Sequence, residues 1–229
     1  MLLKKWEDLP NEIKNESVYV YYGILKEKTL HLVIKRCFDI LCSIILMAVL
    51  FVPMIFIAVC IKIDSPGNVF FRQTRVTQYG KTFRIFKFRT MVSEAENLGP
   101  QVTCKNDIRV TRIGRVLRKF RIDEIPQLIN ILLGHLSFVG TRPETIKYTD
   151  AYTDEMKATL LLPAGVTSLA SIKFKDEAEI LNKLKNVEDT YINFILPKKM
   201  EYNLEYIKSF NFFYDLKIMF QTVIAVIKK

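Results

Sequence analysis

The sequence predicts an α+β fold: a small, mainly helical, membrane-associated domain with one β-hairpin, an N-terminal re-entrant membrane helix and amphipathic surface helices. Three observations lead there. Half of the 229 residues are hydrophobic and the mean hydropathy is +0.14, which is greasy for a water-exposed domain of this size. The longest apolar stretch is a single run, Ile40–Ile61, with Pro53 near its middle. After it come one alternating stretch that folds back on itself and then helical patterns, with no internal repeat and no low-complexity linker.

Residues 1–33 form an N-terminal extension, polar and charged through Lys4, Lys5, Glu7, Asp8, Glu12 and Lys14, and without the apolar core of a signal peptide. Residues 34–63 hold the membrane segment. Its apolar run is 22 residues long, which as one straight helix reaches about 33 Å and is enough to cross a bilayer. Pro53 removes a helix hydrogen bond and crowds the preceding turn, so a break is expected there. Ile40–Val52 alone would then be about 20 Å of helix, the length of an arm that enters one leaflet and returns. The flanks carry Lys35 and Arg36 on one side and Lys62, Arg72 and Arg75 on the other, so positive charge marks both ends as cytoplasmic. A kinked spanning helix is the alternative, since proline is common in membrane helices.

Residues 64–229 form the third segment. Asp64-Ser65-Pro66-Gly67-Asn68 is a turn signal, and Val69–Val76 and Phe83–Phe88 make a hairpin around Gln78-Tyr79-Gly80-Lys81. Ser93–Asn97 predicts a short acidic helix. Arg112, Arg115, Arg118 and Arg121 recur at steps of three, along one side of a helix. In the next helix Asp123 can serve as N-cap, Pro126 falls in the first turn, Ile125, Leu128, Ile129 and Leu132 form an apolar stripe, and Gly134 supplies the stop. Further helices are expected over Asp176–Lys185 and Met200–Lys229, the last interrupted by Asp215 and Lys217 in the manner of an amphipathic membrane-surface helix.

Charge and cysteine usage narrow the function. The net charge is +10, and Lys62–Arg121 holds 14 basic against 4 acidic residues, which accounts for the whole excess. Nine of those 14 are arginine, whose fork of donors suits phosphate and carboxylate. Nucleic acid, anionic lipid headgroups and phosphorylated small molecules are the partner classes this allows. Four cysteines without a C-x-x-C pair suggest neither a disulfide framework nor a zinc site, and His31 and His135 have no second ligand at metal-binding spacing. Asp123-Glu124 places two carboxylates directly after the arginine-rich approach. Such a pair can attack an activated phosphorus or hold a divalent cation, and it can equally do no more than cap a helix. Arg142, in the turn Val139–Glu144, is a candidate phosphate ligand.

Several ordered blocks resemble the bacterial sugar transferase family, the monotopic phosphoglycosyl transferases. They are Lys35-Arg36-x-x-Asp39, Ile61-Lys62-x-Asp64-Ser65-Pro66-Gly67, Val69-Phe70-Phe71-Arg72-Gln73-x-Arg75, Phe86-Lys87-Phe88-Arg89-Thr90-Met91, Glu94-Ala95-Glu96, Asp107-x-Arg109-x-Thr111-x-x-Gly114-x-x-Leu117-Arg118-Lys119 and Asp123-Glu124-x-Pro126-Gln127-Leu128-x-Asn130. The resemblance implies a membrane-anchored enzyme on the cytoplasmic face of the bacterial inner membrane, in which the apolar segment is a helix-break-helix. It implies that Asp123 attacks the β-phosphate of a UDP-sugar, releases UMP and passes the sugar phosphate to polyprenyl phosphate. Glu124 is then its catalytic partner, and Lys87, Arg89, Arg118 and Arg142 bind substrate. Mg²⁺ is the implied cofactor, with Asp123 and Glu124 as its protein ligands. Membrane lipids are partners on this reading and nucleic acid is not. The rival class, a membrane-tethered protein that binds anionic lipid or nucleic acid without catalysis, accounts for the charge but leaves Asp123-Glu124 unexplained. The chain departs from the family pattern at Gly140-Thr141-Arg142-Pro143, which lacks one proline, and at Leu162–Ala170, where Ala164 is added and Ser168 replaces glycine. The second change is expected to alter sugar recognition and to leave the phosphate chemistry intact.

Overall fold

The computed structural model describes residues 3–95, 107–175 and 187–227. Helix α1 (Glu16–Glu27) is capped by Asn15, whose side chain accepts from the Val18 amide. It buries Val18, Tyr21, Tyr22 and Leu25, the helical i, i+3, i+4, i+7 stripe, in one core with Leu9, Ile13, Leu161, Tyr206 and Ile207. The N-terminal extension is therefore part of the main core.

Helix α2 (Thr29–Asp64) runs for 36 residues. Helical structure continues through Pro53, so the break expected there does not interrupt it. The reason lies in the burial pattern. Leu32, Lys35, Asp39, Ser43, Met47, Leu50, Met54, Ile57 and Ile61 form a stripe at steps of three and four that packs on the rest of the protein, while Pro53 and Val49, the pair whose hydrogen bond is lost, both face outwards. The packed turns on either side hold the helix across the single missing bond. The outer face exposes Leu41, Ile45, Val49, Val52, Phe56 and Ile63, and α2 is long and apolar enough to cross a membrane.

Both ends of α2 are fastened to the same domain. Near its start, Lys35 Nζ donates to Asp215 Oδ2 at 2.5 Å and to the Val139 carbonyl at 2.7 Å. Tyr206 holds the other oxygen of Asp215 at 2.6 Å, and Asp39 Oδ1 accepts from the Phe138 amide at 3.2 Å. At its far end Asp64 Oδ2 accepts from the Ile113 amide at 3.0 Å, and Arg89 donates to the Ser65 carbonyl at 2.7 Å and to the Pro66 carbonyl.

Strands β1 (Phe70–Val76) and β2 (Thr82–Phe88) form the expected antiparallel hairpin, with Phe70 opposite Phe88 and Val76 opposite Thr82. Its turn places Tyr79 and Gly80 at φ 60° and 73°. Helix α3 (Arg112–Lys119) is capped by Thr111, and α4 (Gln127–Leu132) ends at Gly134 with φ 80°, as expected. Strand β3 (Leu136–Val139), the short α5 (Ile146–Thr149), β4 (Ala164–Thr167) and α6 (Leu169–Lys173) follow, with β3 and β4 paired in parallel. A Cβ on Gly165 would lie 2.1 Å from the Gly140 nitrogen, so this crossing demands glycine. A π-helical turn (Tyr191–Ile195) leads into α7 (Leu196–Lys208), and α8 (Phe212–Ile227) closes the described chain. Of the polar interruption expected at Asp215 and Lys217, Asp215 points inward to Lys35 and Lys217 is exposed, on a face that otherwise shows Phe213, Phe220, Val223 and Ile227. The helix expected over Asp176–Lys185 and the last two residues of that over Ser93–Asn97 lie outside the described residues, and Ser93 and Glu94 form a turn.

Lys35→Met should leave Asp215 as an uncompensated buried carboxylate and cost about 3–5 kcal/mol, a fall of roughly 10 °C in thermal midpoint for a chain of this size. Lys35→Met with Asp215→Leu should recover most of that. Midpoints of the detergent-purified variants check both statements, and a double variant no better than the single would refute the pairing.

Candidate active site

Between α3 and α4 the chain turns through Arg121, a non-glycine residue at φ 57°, and then through a 3-10 turn, Ile122–Glu124. The left-handed residue stores local strain immediately before the acid pair. The turn aims both carboxylates inward, leaving Asp123 7% and Glu124 8% exposed. Asp123 is not the N-cap expected from its spacing. The amides of Glu124, Ile125, Leu128 and Ile129 are taken by carbonyls three residues earlier, and Pro126 occupies the cap position. Those amides are not free for the Asp123 carboxylate, and its Oδ1 is buried without a hydrogen-bond partner among the described residues.

Three elements converge on this turn. Strand β2 alternates, so Lys87 shares the inward face of Phe83 and Ile85 and reaches Glu124 Oε1 at 2.9 Å. The turn after β3 brings Arg142 to the same oxygen at 2.6 Å, and Arg121 stands 3.8 Å from it. Asn130, one of the motif residues, locks α4 to the hairpin. Its Oδ1 accepts from the Phe86 amide at 2.8 Å and its Nδ2 donates to the Arg84 carbonyl at 3.1 Å. From α2, Arg36 donates to the Ile131 and Leu132 carbonyls at the end of α4 at 2.6 and 2.9 Å.

The two carboxylates are held in opposite electrostatic states. Burial pushes the Asp123 carboxyl above its usual range; Lys87 pulls it down, the neighbouring Glu124 charge pushes it further up, and Arg118 and Arg121 do not restore it. Burial would also raise Glu124, but Arg142, Lys87 and Arg121 outweigh it and hold that carboxyl well below the ordinary range. Burial pushes the Lys87 ammonium down, against the pull of Glu124.

Of the predicted site residues, Asp123, Glu124, Lys87 and Arg142 are brought together. Arg118 contributes its charge to Asp123 while its Nε donates to Thr90 Oγ1 at 2.8 Å. The Arg89 guanidinium donates to the Ser65 and Pro66 carbonyls and to Ser93 Oγ, so it ties the turn after α2 and is not gathered with the other residues around the acid pair. Sequence reasoning also passed over the supports of Arg142. Arg75 NH1 donates to the Pro143 carbonyl at 3.2 Å, and Glu144 accepts from Tyr191 at 2.6 Å with Lys199 3.5 Å away. The adjacency of Glu144 to Arg142-Pro143 was a signal that went unused. Among the described residues no group of three or more His, Cys, Asp or Glu gathers to hold a metal.

Glu124 and Arg142 also border a cleft of about 260 Å³ whose floor is apolar, with Leu46 and Leu50 of α2, Ile131, Phe138, Val166 and Val226 of α8. Lys119, Arg121 and Lys175 stand at its polar side, and Asp123 is not in its lining.

A family model described as Bacterial sugar transferase matches residues 30–229. The chain belongs to the bacterial sugar transferase family. It is 35% identical over 225 residues to a UDP-N-acetylgalactosamine-undecaprenyl-phosphate N-acetylgalactosaminephosphotransferase of Aeromonas hydrophila, covering 96% of this chain and 50% of that protein. It is 35% identical over 195 residues to a UDP-glucose:undecaprenyl-phosphate glucose-1-phosphate transferase of Escherichia coli K12, covering 83% and 39%. It is 35% identical over 202 residues to an exopolysaccharide production protein, PSS, of Rhizobium leguminosarum, covering 85% and 95%. This sugar transferase thus spans half or less of the length of the first two relatives and nearly all of the third.

The opposed states of the acid pair have a measurable signature. A carboxyl raised by burial destabilises the folded protein once ionised, so Asp123→Asn should raise the thermal midpoint at pH 7, and the gain should vanish as the pH falls below the ordinary Asp range near 3.9. Glu124 contributes stability above its unfolded value that is lost on acidification, so Glu124→Gln should lower the pH 7 midpoint, with a penalty that shrinks below about pH 4.3. Midpoints of the same sign for the two variants would contradict this assignment.

Proposed function

We propose that this chain transfers a sugar 1-phosphate from a UDP-sugar to polyprenyl phosphate, through a covalent intermediate on Asp123, as an early membrane step of polysaccharide or glycoconjugate synthesis. The observation that carries the reading is the asymmetry of the acid pair: one oxygen of Glu124 is held by Lys87 and Arg142, whereas Asp123 keeps a buried oxygen without a hydrogen-bond partner among the described residues. In the first step an Asp123 oxygen attacks the β-phosphorus. The bond from that phosphorus to the bridging oxygen breaks, and UMP leaves with the bonding pair. In the second step an oxygen of polyprenyl phosphate attacks the same phosphorus and the Asp123 carboxylate is released. Splitting the transfer lets a water-soluble donor and a lipid acceptor react in turn. Lys87 and Arg142 hold Glu124 ionised and stand where donor phosphates would meet fixed positive charge.

Mg²⁺ fits this donor set, because it is commonly held by one or two carboxylates and completes its shell with water and substrate phosphate. The unpartnered Oδ1 of Asp123 supplies one such position, with Glu124 beside it. When bound, the ion offsets charge on the diphosphate.

The two fastened ends of α2 support a monotopic placement on the cytoplasmic face, in which the helix, continuous through Pro53, enters one leaflet without crossing it. A helix whose start and finish both bond to one domain does not deliver its ends to opposite sides of a bilayer. Its outward apolar face and that of α8 would sit in the same leaflet. Much of the arginine surplus serves internal contacts, at Arg75, Arg89 and Arg109, which favours this reading over a nucleic-acid surface.

With a panel of UDP-sugars and undecaprenyl phosphate, the purified protein should release UMP. Without the lipid it should give a burst of at most one UMP per active site, and Asp123→Asn should abolish both while remaining folded. Near-wild-type UMP release by that variant rejects the covalent route. Arg142→Lys keeps the charge and loses the fork, so it should lower kcat/KM at least tenfold more than Arg112→Lys at an exposed site. Equal effects would remove Arg142 from the phosphate site. For topology, single cysteines placed before Lys35 and after Lys62 in a cysteine-free background should both resist an impermeant external reagent in intact cells, and labelling of only one would establish a spanning helix.

A further inference from the structure

The cleft beside Glu124 contains a polar group that the reaction scheme leaves unused. Gln127, the first residue of α4, is 1% exposed. It lines the cleft, and its Nε2 is buried without a hydrogen-bond partner among the described residues. A buried amide donor left unpaired destabilises a fold, and such groups call for an explanation. Its neighbours in the helix are fully committed: Asn130 bonds β2 through both ends of its amide, and Leu128 and Ile131 pack in the core.

We infer that Gln127 donates its amide N–H to the phosphate of the polyprenyl phosphate acceptor, whose first isoprenoid units occupy the apolar floor of the cleft. This rests on the reaction proposed above and assigns its second substrate a place. Charge complementarity selects the occupant. Lys119, Arg121, Arg142 and Lys175 put positive charge around one side, matching a phosphate, and most of the remaining lining is hydrocarbon from Leu46, Leu50, Phe138, Val166 and Val226, while its other polar groups are already engaged: Thr167 with Thr222, Ser171 with Ser168, and Glu124 with Lys87 and Arg142. A sugar or uridine buried there would lose water from its hydroxyls with too few partners to replace it. The volume, about 260 Å³, lies just under the ~300–1,000 Å³ typical of small-ligand pockets. It accommodates a headgroup and the start of a chain, with the rest of the lipid outside. Two of its walls belong to α2 and α8, whose outer faces expose Val49, Phe56, Phe220 and Val223, so a chain leaving the cleft passes directly onto apolar surface.

The test varies undecaprenyl phosphate at saturating UDP-sugar for the full-length wild type, Gln127→Met and Gln127→Glu. Methionine keeps the length and removes the donor; glutamate keeps the shape and replaces the donor by an oxygen. A hydrogen bond to a charged group corresponds to about tenfold or more in affinity. Both variants should therefore raise KM for the lipid at least tenfold, the glutamate variant more, while the lipid-free UMP burst stays as in wild type. Gln127→Met should keep or raise the thermal midpoint, because an unpaired donor has gone. A lipid KM within twofold of wild type in either folded variant overturns the inference. So does a rise in KM for the UDP-sugar, or a lost burst at an unchanged midpoint, since each would put the amide on the donor side. Absence of a burst in the wild type would count against the covalent intermediate alone, because the steady-state lipid KM is read independently of it.

Discussion

The attachment of α2 at both ends is the constraint on which the remaining architecture depends. Lys35, Arg36 and Asp39 tie its first half to β3, α4 and α8, and Asp64 with the Arg89-held turn ties its end to α3. Arg36 reaches the last carbonyls of α4, and α4 follows directly on the turn that carries the acid pair. The element with the largest apolar surface is thereby rigidly coupled to the residues with the most exacting electrostatics. Charged groups so deeply placed contribute little net stability, but they discriminate strongly against arrangements that would leave them unpaired.

Glu124 and Asp123 illustrate how two identical functional groups, adjacent in the chain, acquire different chemistry. Three cations crowd a single oxygen of Glu124, whereas Asp123 receives charge only at a distance and keeps an oxygen open. The difference arises from side-chain direction on a 3-10 turn, with the strained Arg121 setting its entry. Backbone geometry, more than residue type, assigns the roles.

The hairpin was legible because turn residues and alternation are local signals, and α4 ended at Gly134 for the same reason. Lys87, Asp123, Glu124 and Arg142 could be grouped through the ordered motifs, although spacing alone favoured helix capping for the acid pair. What could not be read were the non-local partners. Asp215 looks like a solvent-facing break in an apolar helix until Lys35, 180 residues earlier, is seen to neutralise it. Arg89 reads as a phosphate ligand, and nothing local announces that its guanidinium also holds the carbonyls of Ser65 and Pro66, 24 and 23 residues earlier. Pro53 looks like a break, yet its lost bond falls on the outward side of a helix held by its inner stripe. In each case the deciding fact is which face a residue occupies, which tertiary packing determines and composition does not.

The backbone contact between Gly140 and Gly165 bears on how such a protein can diversify. A side chain at either position meets main-chain atoms of the other strand: the Pro163 carbonyl oxygen at 2.5 Å from one side and the Gly140 nitrogen at 2.1 Å from the other. Main-chain atoms cannot be trimmed by a second substitution, so no compensating change elsewhere can suppress a mutation at this crossing. Variation in the loops that flank the site must then come by changing their length or their outer residues around an invariant pivot, and the added Ala164 lies immediately beside it.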